Sequence, residues 1–219
     1  MQVEIWADII CPWCGLGSYR LEQAVNRFGR PVEVVHRSFQ LDPSWPEGET
    51  ASVSDMLQSS KGLSPEQVRT VTARVEALAH EDGLTPYHVY ENRVGNTGLA
   101  HELLAYATEQ GHHAEGWKAM FRAYFGEARS LFDRDSVIEV GVGSLGLDAE
   151  GVAEALDSRK FRKTVFEDQV EARRFGARGV PFVVIDRAYG ISGAQPVEQF
   201  EAALERAWTE RRPAAAGGD

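Results

Sequence analysis

Cys11-Pro12-Trp13-Cys14 holds both cysteines of this 219-residue chain, so any thiol chemistry of the protein must occur there. The residues before it, Val3 to Asp8, are rich in β-forming residues and predict a short buried strand. Pro12 suits the first turn of a helix, where its missing N–H costs little. Apolar residues then recur at helical spacing up to Gly29, a candidate C-cap. The motif is therefore predicted to join a strand to the N-terminus of a helix.

The other β-rich segments lie at the two ends of the chain. Pro31 to Leu41 predicts a second strand, Val180 to Asp186 a third, and Tyr189 to Ser192 a fourth that pairs with the third. Pro196 to Trp208 predicts an amphipathic terminal helix. The first strand, its helix and the second strand make a βαβ unit, which has a right-handed crossover if its strands are parallel.

Between about Gly48 and Gly176 the strand signals nearly vanish and helix starts follow one another. The clearest is Ser64-Pro65-Glu66-Gln67, which combines an N-cap serine, a proline at the first helical position and a glutamine in the capping-box position. Asp133 or Asp135 is a candidate cap of a later helix, and Asp148 of the next.

The two β-rich ends can complete one sheet only if the middle of the chain loops out. We therefore predict an α/β protein with a thioredoxin-like fold and an inserted all-helical domain. Residues 1–48 and 177–212 form the thioredoxin-like domain in this prediction, and residues 49–176 form the insertion. Residues 213–219 are predicted to be a flexible tail.

Composition narrows the partners and the compartment. The chain has 23 Lys and Arg against 33 Asp and Glu, and the resulting formal charge of −10 disfavours nucleic acid and anionic lipid. It has no basic, apolar N-terminal signal and no apolar run of the roughly 18 residues needed to cross a bilayer. A disulfide between two cysteines so close in the sequence cannot cross-link a large domain, which favours a reducing cytosol. We expect a cytoplasmic protein without a membrane partner, and the oligomeric state stays open.

Two thiols separated by two residues at a helix N-terminus are spaced for reversible disulfide formation. Unpaired N–H groups and the helix dipole stabilise a thiolate at the first position, so Cys11 is the expected low-pKa nucleophile. Cys14, one turn inside, is the expected resolving thiol. The direction of exchange depends on the reduction potential and the recycling partner, which leaves reductase, isomerase and oxidase open.

Two simpler interpretations compete with this one. A zinc site would need two further ligands, and the histidines do not fall into a finger-like spacing with the cysteines. The cysteines could also be an inert buried pair. Of the histidines, His112 and His113 are predicted to be an exposed loop pair, and His101 a packing or hydrogen-bonding residue. We predict no metal and no cofactor.

Several motifs, in this order along the chain, resemble the FrnE-type branch of the DsbA-like thioredoxin oxidoreductases. The resemblance spans nearly the whole chain and is far more specific than two spaced cysteines. It rests on Asp8 to Cys14 with Gly17 and Arg20, Phe39 to Pro43, Asn96-Thr97 with Ala100-His101, Gly179 to Phe182, and Ser192 to Gln195.

The resemblance implies roles for residues beyond the cysteines. Val180-Pro181 matches the cis-proline loop that faces the redox cysteines in this superfamily. Pro12 and Trp13 would support the active site, and Phe39 and Gln195 are candidate substrate-binding residues. The pair Pro12-Trp13, where the best-known periplasmic relatives have Pro-His, does not favour a strongly oxidising, secreted role.

The predicted function is a thiol-disulfide oxidoreductase that acts on protein or small-thiol disulfides, with glutathione as a candidate recycling thiol. A glutathione-dependent enzyme is the first alternative, since kappa-class transferases and 2-hydroxychromene-2-carboxylate isomerases share this architecture. The presence of both cysteines argues against it. A noncatalytic, chaperone-like module with an apolar groove is the second alternative.

Overall fold

The computed structural model describes residues 1–210, and the predicted tail lies outside the described residues. Within them, one mixed sheet is formed by the strands β1 (Gln2–Ala7), β2 (Glu33–Ser38), β5 (Phe182–Ile185) and β6 (Tyr189–Ser192). Their order in the sheet is β2-β1-β5-β6. β1 pairs with β2 in parallel and with β5 antiparallel, and β5 pairs with β6 antiparallel. The predicted strands, the predicted pairing of the last two and the βαβ unit are confirmed.

Helices fill the middle of the chain and flank the sheet. They are α1 (Pro12–Phe28), α2 (Val53–Lys61), α3 (Pro65–Glu81), α4 (Gly98–Glu109), α5 (His113–Phe121), α6 (Arg134–Leu145), α7 (Ala149–Asp157), α8 (Arg162–Arg174) and α9 (Val197–Glu210).

Local sequence signals set several helix ends. Gly29 ends α1 in the left-handed conformation, with φ of 67°, and its N–H reaches the Val25 carbonyl. Ser64 and Gln67 form the predicted capping box of α3. Asp133 caps α6 by accepting from the Ser136 N–H, and Asp148 caps α7. Of the two candidates for α6, the structure thus selects Asp133.

The prediction for the middle of the chain was wrong in one detail, because this part is not wholly helical. β3 (Thr50–Ser52) and β4 (Arg93–Gly95) form an antiparallel pair. α5 ends at Phe121, and the chain continues in a π-helical turn over Arg122–Gly126. Strands of three residues leave too short a pattern to recognise in a sequence.

The sheet lies between two helical layers. On one face, Leu21 of α1 and Phe200 of α9 pack against Val3, Ile5 and Val183. On the other face, Trp6 packs with Ala172 of α8.

A third, larger cluster joins Ala7, Cys14 and Leu16 to the helices of the middle segment through residues such as Leu103 and Phe125. The cysteine motif therefore lies where the two parts of the chain share a core. The domain boundaries at 48 and 177 stay a prediction. No helix within residues 1–210 combines the length and the apolar character that crossing a bilayer requires.

Candidate active site

Cys11 and Cys14 lie at the start of α1, as the motif predicts. Cys11 is the N-cap residue in an extended conformation, and Cys14 follows in the first helical turn. Both are free thiols, with Cys11 5% exposed and Cys14 fully buried. The first thiol is thus next to the unpaired N–H groups of the helix, and the second is inside the protein.

The Val180-Pro181 loop, far away in sequence, faces the first cysteine. The Cys11 thiol donates to the Val180 carbonyl over 3.6 Å, and the Val180–Pro181 peptide bond is cis. Gly17 of α1 faces the same loop, since a Cβ built there would lie 2.9 Å from Pro181 Cγ. The loop and the helix are therefore in direct contact only because position 17 has no side chain.

Arg20 of α1 connects the helix to Asp82 and to Ala194, which follows β6. Its guanidinium binds the Asp82 carboxylate at 2.5 Å and donates to the Ala194 carbonyl at 3.0 Å. Gln195 follows Ala194 in the sequence and is partly buried. Its side-chain amide donates to the Ser192 carbonyl.

The remaining predicted site residues differ in their exposure. Trp13 is 39% exposed beside the buried cysteines, so its ring is available to a partner. Phe39 is nearly buried and packs with Trp6 and Phe182 under the sheet. The structure thus gives Phe39 a packing role, and substrate contacts of Phe39 and Gln195 stay predictions.

Burial is the largest cause of the pKa shift of the Cys14 thiol. It raises the pKa of Cys14 well above its usual value, and the hydrogen bond and charge of Cys11 raise this pKa further. Asp8 acts in both directions, because its backbone hydrogen bond lowers the Cys14 pKa while its charge raises it. Cys14 therefore rests as a thiol and must lose a proton before it can act as a nucleophile.

Asp8 and His101 form a buried pair beside this thiol. Both are fully buried, and Asp8 Oδ1 lies 3.2 Å from His101 Nε2. Asp8 Oδ2 accepts from the Leu41 N–H at 2.7 Å, which fixes the carboxylate after the end of β1. The predicted hydrogen-bonding role of His101 is confirmed, and α4 is the element that carries it to the site.

Tyr87 is a site residue that the sequence did not indicate. Its hydroxyl donates to the Pro12 carbonyl over 2.6 Å, and its ring stacks on Phe125 at 4.6 Å between centroids. Burial, followed by the charges of Cys11 and Cys14, raises the pKa of Tyr87, so the hydroxyl keeps its proton for this bond. Its only sequence signal is a loop position after Pro86, and no spacing connects it to the cysteines.

The prediction that His112 and His113 form an exposed loop pair was wrong. His113 begins α5, both residues are partly buried, and His113 Nε2 accepts from the His36 N–H at 2.9 Å. Its other ring nitrogen is 2.8 Å from Thr108 Oγ1. The sequence predicts an exposed pair because Gly111, just before it, is typical of a turn. The hydrogen-bond partner of His113 lies on edge strand β2, far away in the sequence, where no local pattern indicates it. Across residues 1–210, no cluster of three His, Cys, Asp or Glu side chains is arranged to hold a metal ion.

Comparison with known proteins agrees with this architecture. The model of the DSBA-like thioredoxin domain matches residues 2–205. The probable DsbA oxidoreductase SCO1869 of Streptomyces coelicolor is 44% identical and superposes with a TM-score of 0.93, over 98% of this chain and 92% of its own. The predicted fold class, a DsbA-like thioredoxin fold, is confirmed.

Two more distant structures share the fold. A 2-hydroxychromene-2-carboxylate isomerase is 18% identical with a TM-score of 0.71, over 96% of this chain and 97% of its own. The cytosolic disulfide reductase DsbM of Pseudomonas aeruginosa, in a structure with GSH, is 21% identical with a TM-score of 0.60, over 95% of this chain and 100% of its own. At these identities the likeness concerns the fold alone.

Proposed function

Because the chain belongs to the DSBA-like thioredoxin domain family, we propose that Cys11 and Cys14 are a redox pair that exchanges disulfides with protein or small-thiol substrates. The observation that carries the proposal is the position of the Cys11 thiol, at the start of α1 and 3.6 Å from the Val180 carbonyl. A helix N-terminus stabilises a thiolate, and the loop opposite offers backbone to a substrate.

The family match agrees with the broader sequence-based predictions and does not test the narrower ones. The resemblance to DsbA-like proteins is confirmed, and so is a disulfide oxidoreductase as the class of enzyme. The narrower FrnE type stays a prediction. So does the division into a thioredoxin-like domain and an insertion over residues 49–176.

In the proposed reaction, the Cys11 thiolate attacks one sulfur of a substrate disulfide. The substrate S–S bond breaks, one substrate thiolate leaves, and a mixed disulfide with Cys11 forms. The Cys14 thiol then loses its proton and attacks Cys11 Sγ, which releases the second substrate thiolate. The substrate gains two electrons, and the enzyme is left with a Cys11–Cys14 disulfide. The reverse sequence oxidises a dithiol.

The second step needs an acceptor for the Cys14 proton, because burial raises the pKa of this thiol. Asp8 lies close enough to Cys14 for its charge to affect that pKa, and His101 holds one of its oxygens at 3.2 Å. We assign the proton acceptor to this Asp8–His101 pair. Asp8→Asn is expected to slow release of the mixed disulfide and leave its formation less affected, and rapid-quench kinetics separate the two steps.

The exposed Trp13 and the Val180 backbone would bind the substrate. An extended segment of the substrate can pair with the Val180 backbone, and Pro181 contributes no N–H of its own. The exposed ring of Trp13 adds apolar contact area beside the attacking sulfur.

Insulin reduction with dithiothreitol tests the proposal. We expect the wild-type protein to accelerate precipitation of the insulin B chain, and Cys11→Ser to fall to the uncatalysed rate. With dithiothreitol left out, Cys14→Ser should accumulate the mixed disulfide, visible as a mass adduct that a reductant removes. Wild-type activity equal to that of Cys11→Ser would overturn the proposal.

The proposal also covers the direction of disulfide exchange, the thiol that recycles the enzyme and the cellular compartment. We propose cytoplasmic exchange with glutathione as the recycling thiol, on the basis of the two closely spaced cysteines and of the likeness to DsbM, whose structure contains GSH. The reduction potential of the pair decides the direction. A value well below the cytosolic glutathione range of about −220 to −320 mV favours a reductase, and a value well above it an oxidase or isomerase.

The glutathione-dependent transferase or isomerase remains the alternative. It predicts tight glutathione binding and turnover of a small molecule that survives Cys14→Ala, whereas the redox pair predicts that exchange is lost in this variant.

A further inference from the structure

A groove lies along the side of α1 that faces α5. Its walls are rings from the loop before β4 and from α5 with its π-helical turn, namely Tyr87, Trp117, Phe121 and Phe125. We call it the aromatic groove. Its volume is about 760 Å³, within the range of roughly 300–1,000 Å³ typical of small-molecule sites.

The aromatic groove adjoins the site of disulfide exchange through Tyr87 and Gly15, but it does not contain the reacting thiols. Its lining begins on α1 at Gly15, after both cysteines, and continues down the helix through Ser18 and Glu22. Among the described residues that line it, neither the cysteines nor the Val180-Pro181 loop occurs. The mechanism proposed above therefore gives the groove no role.

Some of the rings that line the groove are nearly parallel to a neighbouring ring, whereas Trp117 and Phe121 are tilted by 46°. Tyr87 and Phe125 are inclined by 12°, and Phe121 and Phe125 by 28°. Next to these rings, His36 of β2 stacks on Trp117 at 23°. Walls built from stacked rings match a flat aromatic molecule, which gains contact area by offset stacking.

The charges at the groove are already paired with one another. Lys118 binds Glu22 at 2.6 Å, and Arg122 binds Glu127 at 3.1 Å. Burial lowers the pKa of His36 to about 3, with the charges of His113 and Lys118 adding to the effect, so this ring is neutral at physiological pH. An ionised ligand would lose its hydration without gaining a free counter-charge.

We propose that the aromatic groove is a binding site for one neutral, planar aromatic small molecule. Ring stacking and apolar burial supply the affinity, and the paired charges at the rim select against ionised analogues.

Fluorescence titration with Nile red, an uncharged planar aromatic dye that brightens in apolar surroundings, tests the proposal. We expect saturable one-to-one binding to the full chain, and displacement by 1-naphthol. The charged analogue 1-naphthalenesulfonate is expected to compete about tenfold more weakly or worse. Equal competition by the sulfonate, or no saturable dye binding, would overturn the proposal.

Two pairs of variants locate the site. Phe121→Ala removes a wall of the groove, and its control Phe166→Ala removes an exposed ring on α8. Ala114→Trp adds bulk at the exposed rim of the groove, and its control Ala202→Trp adds it on an exposed position of α9.

Both groove variants are expected to weaken dye binding by about tenfold, while the controls stay within about twofold of wild type. Circular dichroism verifies that each variant is folded. Unchanged affinity in both folded groove variants would contradict the proposal. Because the titration measures binding and not exchange, it can be repeated in Cys11→Ser, and its result does not depend on the redox proposal.

Discussion

Tyr87 connects the middle of the chain to the cysteine motif through one hydroxyl group. This hydroxyl binds the Pro12 carbonyl at 2.6 Å, and a Cβ on Gly15 would collide with it. The phenol thus occupies space that an ordinary residue at position 15 would fill. The first turn of α1 is held from outside by a residue 75 positions away in the sequence.

We predict that Tyr87→Phe lowers the free energy of unfolding by about 0.5–1.5 kcal/mol, because it removes one buried hydrogen bond and leaves the ring in place. Urea denaturation measures the change. Tyr90→Phe is the matched control, since this partly buried ring would keep its contact with the Arg69 guanidinium, 5.2 Å from its centroid. Equal losses in the two variants would contradict the role assigned to the Tyr87 hydroxyl.

At the scale of elements, α1 and the Val180-Pro181 loop pack against each other through Gly17. A Cβ at this position would lie 2.9 Å from Pro181 Cγ and 3.3 Å from Ala194 Cα, and the second contact is to the backbone. The loop would have to move for a side chain to fit. The separation between α1 and the proposed substrate-binding loop therefore depends on this glycine.

Gly17→Ala is predicted to destabilise the protein by about 1–3 kcal/mol through this overpacking. Gly143→Ala is the control, because Gly143 lies in α6 with nothing within 4 Å of its added Cβ. There, alanine should stabilise the fold by about 0.5–1 kcal/mol through its helix preference. Thermal unfolding compares the two, and a stabilised Gly17→Ala variant would show that the loop tolerates the side chain.

Elements with a local chemical signal could be predicted from the sequence, and those that depend on distant contacts could not. Pro12, the Ser64–Gln67 capping box and the Asp148 cap act within a few residues of themselves, so their helices were predicted correctly. The β3–β4 pair and the π-helical turn have no comparable signal. In the candidate site, the cysteines were found by type and spacing, whereas Tyr87 comes next to Pro12 only through the tertiary fold.

At the scale of the whole molecule, a pair of histidines joins the edge of the sheet to the helices of the middle segment. The His36 N–H on edge strand β2 donates to His113 Nε2, and the His36 ring stacks on Trp117 of α5. The groups that face the His36 ring are Ser18 on α1 and His113, Trp117 and Lys118 on α5. None of them carries a negative charge that would favour a protonated His36.

The same junction should make the stability of the protein sensitive to acid. Burial is the largest cause that lowers the pKa of His36 from 6.5 to about 3, and burial also lowers the pKa of His113. Between these two values the unfolded chain binds the His36 proton and the folded chain does not. The His36 contribution therefore makes the free energy of unfolding fall as the pH drops from about 6.5 towards about 3.

We predict that His36→Phe, which keeps a flat ring against Trp117, reduces this acid sensitivity. Between about pH 6 and 4, the unfolding free energy of the wild type should fall by up to about 1 kcal/mol per pH unit more than that of the variant. Carboxylates titrate in both proteins, so the difference between their curves from urea denaturation isolates His36. His80→Phe, at an exposed position of α3, is the control and should follow the wild-type curve. Parallel curves for wild type and His36→Phe would mean that His36 does not take up a proton on unfolding, and acid sensitivity would then have to arise from the carboxylates alone.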